Sequence, residues 1–208
     1  MKTNITSKIF FRLKSILIEF LVKNLPNNNK FHSFLLLQRL RIGHVNGNFQ
    51  INEFKVNRLY GLNDLLKEIS PSKNLITVEI GSYEGVSSEL ISKYCQILYC
   101  VDLFCEDVYS ARFDIVKERC KNIIKIKSDS VKAAGDFPDA FFDLVYIDAS
   151  HLFDDVVADI LAWLHKVKKN GYICGHDYMP HEDVIKAVNK ILGKPHKVYS
   201  DSSWLIKI

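Results

Sequence analysis

Apolar positions along the chain follow two different periods, and the change between them divides the sequence. Ile5, Ile9, Leu13, Ile16 and Phe20 recur at helical spacing, which predicts an amphipathic helix over residues 5–24. Pro26 and the asparagines of "LPNNNK" end it in a turn. Phe31, Phe34, Leu35 and Leu37 predict a second helix over 30–41, broken by Gly43 and "VNGN". A short third helix over 62–69 stops before Pro71. Beyond Pro71, apolar runs of strand length alternate with helical patterns. Strands are predicted at 75–80, 97–104, 123–130, 141–151 and 171–178. The fourth has no polar face from Leu144 to Ile147. Helices are predicted over 86–95, over 152–171 with Gly171 as its stop, and over 182–193 with Gly193 as its stop. Residues 196–208 read as a closing hairpin. No repeat is present, and no low-complexity tract beyond the asparagine cluster.

Strands alternating with helices imply an α/β fold, a parallel sheet covered on both faces. Ligands of such sheets bind where the C-terminal ends of strands meet loops. The expected organisation is a helical extension over 1–70 followed by one α/β domain over 71–208.

Composition alters this outline in three places. An apolar share of 48% is that of a folded globular chain. The net charge of +4 conceals an asymmetry. Residues 1–75 hold 12 Lys/Arg against 4 Asp/Glu, whereas residues 76–208 hold 16 against 20. A basic N-terminal third suits a phosphorylated acceptor, a membrane surface or nucleic acid; equally, its Lys and Arg solvate the outer faces of amphipathic helices. The five cysteines (95, 100, 105, 120 and 174) are odd in number and include no CxxC pair, so reduced thiols in a cytoplasmic protein are expected. Arg12, Lys14, Glu19 and Lys23 interrupt the most apolar early run, so neither a transmembrane span nor a secretory leader is expected there, while peripheral membrane contact stays open.

The candidate chemistry lies at the ends of the predicted strands. Glu79, Gly81 and Gly85 form E-x-G-x-x-x-G between the first strand and a helix. Gly81 allows a tight turn, and Gly85 lets the helix start pack near a ligand. The spacing differs from the G-x-G-x-x-G of dinucleotide folds. Asp102 ends strand two, where an acid accepts bonds from ribose hydroxyls, and Asp129 follows strand three, placed for an exocyclic amine or for a turn. Asp148 ends an apolar strand, where an unpaired carboxylate is costly. His176 and Asp177 end the next strand on the same sheet edge. Two carboxylates and an imidazole there form a candidate divalent-cation site. His151 is a candidate general base. Asp148 and Ser150 are also candidate caps for the helix beginning near Leu152. Trp163, on the apolar helix face with Val156, Ile160 and Val167, reads as core, whereas Tyr178 follows Asp177 at the expected mouth.

These residues together resemble the class I S-adenosylmethionine-dependent methyltransferases. The likeness covers roughly residues 75–208: "VEIGSYEG" resembles the first cofactor motif and "VDLF" the acidic second motif. The stretch from "DLVYIDASH" to "GHDY" is similar to the subgroup that methylates hydroxyls of sugars and natural products. The resemblance implies a Rossmann-like seven-stranded sheet whose last strand is antiparallel. It implies S-adenosylmethionine held by Glu79, Gly81, Ser82, Tyr83 and Gly85 at the methionine, Asp102 and Leu103 at the ribose, and Ser128, Asp129 and Ser130 at the adenine, with Asp148 adjoining. It implies His151 and Asp148 as catalytic groups, and Mg²⁺ held by Asp148, His176 and Asp177, with His176 standing where an acid often stands. The expected acceptor is a small molecule, a sugar or phosphorylated sugar, as in polysaccharide biosynthesis. In relatives the N-terminal region covers the acceptor site or makes a homodimer contact. A methyltransferase-fold protein that only binds, docking through its basic helices, is the alternative from a different class. A nucleic-acid partner is not expected, since no N/D-P-P-Y/F tetrapeptide occurs.

Overall fold

A computed structural model describes residues 59–70, 74–179 and 181–208. The helices expected over 5–24 and 30–41 lie outside these residues, and with them the readings attached to the basic N-terminal third. No helix among the described residues is long and apolar enough to cross a membrane.

The first described helix, α1 (Tyr60–Ile69), buries Leu62, Leu65, Leu66 and Ile69, the i, i+3, i+4, i+7 stripe of an amphipathic helix. Then come β1 (Leu75–Ile80), α2 (Val86–Ile91), β2 (Cys95–Asp102), α3 (Asp107–Arg119), β3 (Ile123–Lys127), α4 (Ser130–Ala134), β4 (Phe142–Ile147), α5 (Phe153–Leu164), β5 (Val167–Gly175), α6 (Glu182–Ile191), β6 (Lys197–Val198) and β7 (Trp204–Lys207). They form one seven-stranded sheet in the order β3-β2-β1-β4-β5-β7-β6. Strands β1 to β5 pair in parallel, and β7 runs antiparallel to both β5 and β6. The sheet and its closing hairpin are therefore as the sequence implies.

Alternation along each strand feeds two cores. Val78, Ile80, Val101, Val145 and Ile147 face Ala133 of α4, Val156, Ile160 and Trp163 of α5, and Val184 and Val188 of α6. Leu98, Cys100, Leu144 and Tyr146 face α1, Ile91 of α2, and Phe113 and Val116 of α3. The strand order reverses between β1 and β4, so the helices that follow them, α2 and α5, pack on opposite faces of the sheet and leave a crevice at that edge.

Two expectations about elements are corrected. The long helix does not reach Gly171: α5 stops at Leu164, and β5 begins at Val167. Val167 keeps helical spacing from Trp163, yet it pairs with Phe142 at the start of β4. Asn170 then takes φ 65°, and the β4–β5 register shifts between Phe142 and Leu144. Gly171 serves this bulge rather than a helix end, since a Cβ there would lie 2.8 Å from the Lys168 carbonyl oxygen. Strand β5 consequently ends at Gly175, and His176 and Asp177 follow in the loop. The second correction is an element the apolar pattern does not predict. Helix α3 has 13 residues but buries only Phe113 and Val116, too few to produce a periodic stripe.

Candidate active site

The crevice holds a cavity of about 770 Å³ at the C-terminal ends of β1, β2, β3, β4 and β5. That volume lies within the range of small-molecule sites. Each wall is a strand-to-helix turn.

The first wall is the loop after β1. Gly81 has φ 88°, and a Cβ there would lie 2.5 Å from Ala149 Cα and 2.6 Å from its nitrogen. The loop after β4 thus presses directly on the loop after β1, and only glycine fits. Asp148 N donates to the Ile80 carbonyl at 2.8 Å, which locks the two loops together. Tyr83 has φ 46°, an uncommon conformation for a non-glycine residue. Asp102 holds it: Tyr83 N donates to one carboxylate oxygen at 2.8 Å, and Phe104 N donates to the other at 2.7 Å. Each oxygen keeps capacity for a further bond, so this shaping role is compatible with a ligand hydroxyl. Ser82, Leu103, Ser128, Asp129 and Ser130 also line the cavity. Asp129 caps α4, accepting from Lys132 N at 3.0 Å.

Two residues of the expected cofactor set stand elsewhere. Glu79 does not line the cavity; it is fully buried beneath the loop, in a row across the sheet with Cys100 and Tyr146. One of its oxygens accepts from the Ser88 hydroxyl, and the other has no partner. Burial raises its carboxyl above the ordinary range. Gly85 does not line it either. Its φ of 84° turns the chain into α2, and a Cβ there would lie 3.0 Å from the Phe113 ring, so its closeness serves α3.

The structure also brings in Asp155 and Asp159 of α5, which the sequence reading did not single out. Asp159 is buried and accepts from the Ser130 hydroxyl. Burial, with the charges of Asp129 and Asp155, pushes its carboxyl up to about 6 against that hydrogen bond. A signal was present: Asp159 falls on the stripe of Val156, Ile160 and Trp163, where a solvated acid does not belong.

The far wall carries the titratable cluster. Asp177, at φ 59°, is shared by two histidines. His151 Nε2 lies 2.8 Å from one carboxylate oxygen, and His176 Nδ1 lies 3.1 Å from the other. The His151 ring stacks on His181 at 4.2 Å. The structure thus assembles Asp148, His151, His176 and Asp177 at one spot. The partner of His151 is Asp177, rather than Asp148. Burial opposes the charge on Asp177, but the two imidazoles outweigh it and hold its carboxyl far below the carboxylate range. His151 is raised by its bond to Asp177. Burial disfavours charge on His176, yet Asp177 and Asp148 raise it to about 10. Asp148 is pushed up to about 7, mainly by burial. Neither Asp148 nor Ser150 caps α5: the N-cap position is Leu152, without a side-chain bond, and Ser150 Oγ accepts from Leu152 N at 3.2 Å in the turn before the helix.

The lining charges decide what the cavity can take. Glu84, Asp102, Asp129, Asp148, Asp155, Asp159 and Asp177 face it against two imidazoles, His151 and His176, and no Lys or Arg is among the described lining residues. An anionic dinucleotide is repelled by such a wall, whereas a sulfonium nucleoside with an amino group is attracted. The buried Ser82 hydroxyl, without a partner, adds an open polar atom under the loop. The residues therefore fit S-adenosylmethionine. Mg²⁺ is a different matter. The ligand atoms of Asp148, His176 and Asp177 converge within 4.8 Å. Yet both Asp177 oxygens are engaged by imidazoles, and the third group offers nitrogen to an ion that selects oxygen. The donor set does not fit Mg²⁺.

Sheet order, crevice and acid-lined cavity define a class I, Rossmann-like methyltransferase fold. Residues 78–178 match the family model described as a methyltransferase domain, and the protein is an S-adenosylmethionine-dependent methyltransferase. No curated protein matches the chain. Among solved structures, a Corynebacterium glutamicum protein superposes with a TM-score of 0.60 at 11% identity, covering 92% of this chain and 95% of that one. The N-methyltransferase NodS of Bradyrhizobium japonicum gives 0.52 at 17% identity, covering 76% and 97%. Phosphoethanolamine N-methyltransferase 1 of Haemonchus contortus, solved with phosphoethanolamine and S-adenosylhomocysteine, gives 0.50 at 13% identity, covering 82% and 32%.

Proposed function

We propose that the enzyme methylates a hydroxyl of a sugar, a sugar phosphate or a cell-surface glycan component, with His151 as general base. The observation that carries this reading is the position of His151. It lines the large cavity and also a second pocket of about 530 Å³, formed with Leu152, His181, Glu182 and Asp183. One imidazole thus borders both the cofactor space and a place for an acceptor. Glu182 and Asp183 suit hydroxyl groups better than phosphate, so any phosphate of the acceptor points away from this end.

S-adenosylmethionine, when bound, supplies a methyl group already activated on a sulfonium, so positioning is the main task left to the protein. The loops after β1 and β2 hold the nucleoside end. A sugar hydroxyl is a poor nucleophile at neutral pH and needs a base. With Nε2–H donated to Asp177, His151 presents Nδ1 to take the hydroxyl proton. Asp177 fixes the ring and stabilises the imidazolium that forms.

Calorimetry with S-adenosylhomocysteine establishes the cofactor site, and a sugar-acceptor screen then identifies a substrate. With that substrate, His151→Ala is expected to lose about 10²–10⁴-fold in rate with cofactor affinity retained. A variant as fast as wild type ends the assignment. His151 must be neutral to act, and Asp177 raises its pKa. The rate should therefore climb with pH through a limb above the ordinary imidazole range, and Asp177→Asn should move that limb to lower pH.

A further inference from the structure

We infer that the Asp148–His151–His176–Asp177 cluster operates without a divalent ion, and that His176 is the residue that makes it so. The inference rests on this cavity being the methyl-transfer site and concerns how the site is held together. Spacing does not decide the matter, because the ligand atoms converge closely enough for an ion. The partners decide it. Asp177 would be the central ligand, but one of its oxygens accepts from His151 at 2.8 Å and the other from His176 at 3.1 Å.

Beyond His151 Nδ1, which faces the acceptor's proton, two groups of the cluster remain open. One is the Asp148 carboxylate, and the other is His176 Nε2, which is buried without a partner. Mg²⁺ completes its octahedron with water but takes oxygen from the protein, so one carboxylate beside an imidazole nitrogen is a donor pair it does not select. The task an ion would perform at Asp177 is already performed by ring N–H groups. Two imidazoles bind the two carboxylate oxygens and fix Asp177 in its φ 59° conformation. The same bonds fix His151 at the border of the two pockets. His176 is thus a positioning residue that stands in a metal's place.

A single substitution at this position should create an ion site. His176→Asp removes the imidazole from one oxygen of Asp177 and supplies a third carboxylate beside Asp148. The variant should bind Mn²⁺, followed by calorimetry or by the electron-paramagnetic-resonance signal of the free ion. Wild type should bind neither Mg²⁺ nor Mn²⁺ at millimolar supply. Its rate with an identified acceptor should change by less than about twofold on adding EDTA, whereas loss of an ion that polarises the acceptor would slow it by about a hundredfold or more. S-adenosylhomocysteine titration of both proteins runs in parallel. It shows that the variant is folded and separates failure of the methyltransferase reading from failure of this one. Mg²⁺ or Mn²⁺ binding by wild type overturns the inference. So does a folded His176→Asp protein with no gain in ion affinity. If the variant does not fold, the wild-type titration and the EDTA comparison decide the question alone.

Discussion

Three glycines share a positive φ and differ in the space around them, so they separate two costs usually measured together. Gly81, Gly85 and Gly193 have φ of 88°, 84° and 82°. An alanine in this left-handed region costs about 1–2 kcal/mol, part of which is returned by the lower entropy of its unfolded chain. At Gly193 a Cβ meets nothing within 4 Å, so Gly193→Ala should cost about 1 kcal/mol, the conformational component alone. At Gly85 the Cβ lies 3.0 Å from the Phe113 ring and 3.2 Å from Val116, side chains able to shift slightly; about 1–3 kcal/mol is expected. At Gly81 the obstacles are backbone atoms of Asp148 and Ala149, with Ala149 Cα at 2.5 Å, and no rotamer change relieves them. Overpacking at the upper end of its range, added to the conformational component, gives about 4 kcal/mol. Urea unfolding at matched m-values should rank the midpoints Gly193→Ala, Gly85→Ala, Gly81→Ala in falling order. Because Gly81→Ala displaces the Asp148 loop, it should also weaken S-adenosylhomocysteine binding, while Gly193→Ala should not. A Gly81→Ala protein no less stable than Gly193→Ala would refute the claim that loop-on-loop contact sets this wall of the site.

Two further outcomes test the layer beneath the cavity. Glu79 has a raised folded pKa, so the folded protein holds its proton more tightly than the unfolded chain, and stability falls as pH rises from below the unfolded value toward the folded one. Glu79→Gln carries no such loss; its stability relative to wild type in urea should therefore grow as pH rises through that window, and a constant difference would exclude a charged Glu79 as the cause. Asp201, buried, accepts from Leu62 N at 2.7 Å and Ser203 N at 2.9 Å, tying α1 to the β6–β7 turn. Asp201→Ala leaves both donors unsatisfied and should cost about 2–4 kcal/mol with a loss of amide-exchange protection at Leu62; retained protection there would show that α1 is held by its apolar stripe alone.

The sequence by itself determined the sheet and the edge at which chemistry happens. Apolar runs such as 75–80 and 144–147 are too short for helices and too apolar for exposed strands, so their burial in a parallel sheet followed from pattern. Asp102, Asp148 and the His176–Asp177 pair stand just past such runs, which fixed them to one edge before any coordinates. What pattern could not supply was contact between residues distant in the chain. Val167 satisfies helical spacing and strand pairing equally, and only pairing with Phe142 puts it in β5. Gly81 and Gly85 look alike in sequence; one is pressed by the β4 loop and the other by α3. His151 lies three residues from Asp148, yet its partner is Asp177, brought in by the neighbouring strand. Periodicity records which residues leave water, a property of each residue and its near neighbours. Which buried or half-buried groups meet depends on strand order and loop packing, and those are properties of the whole sheet.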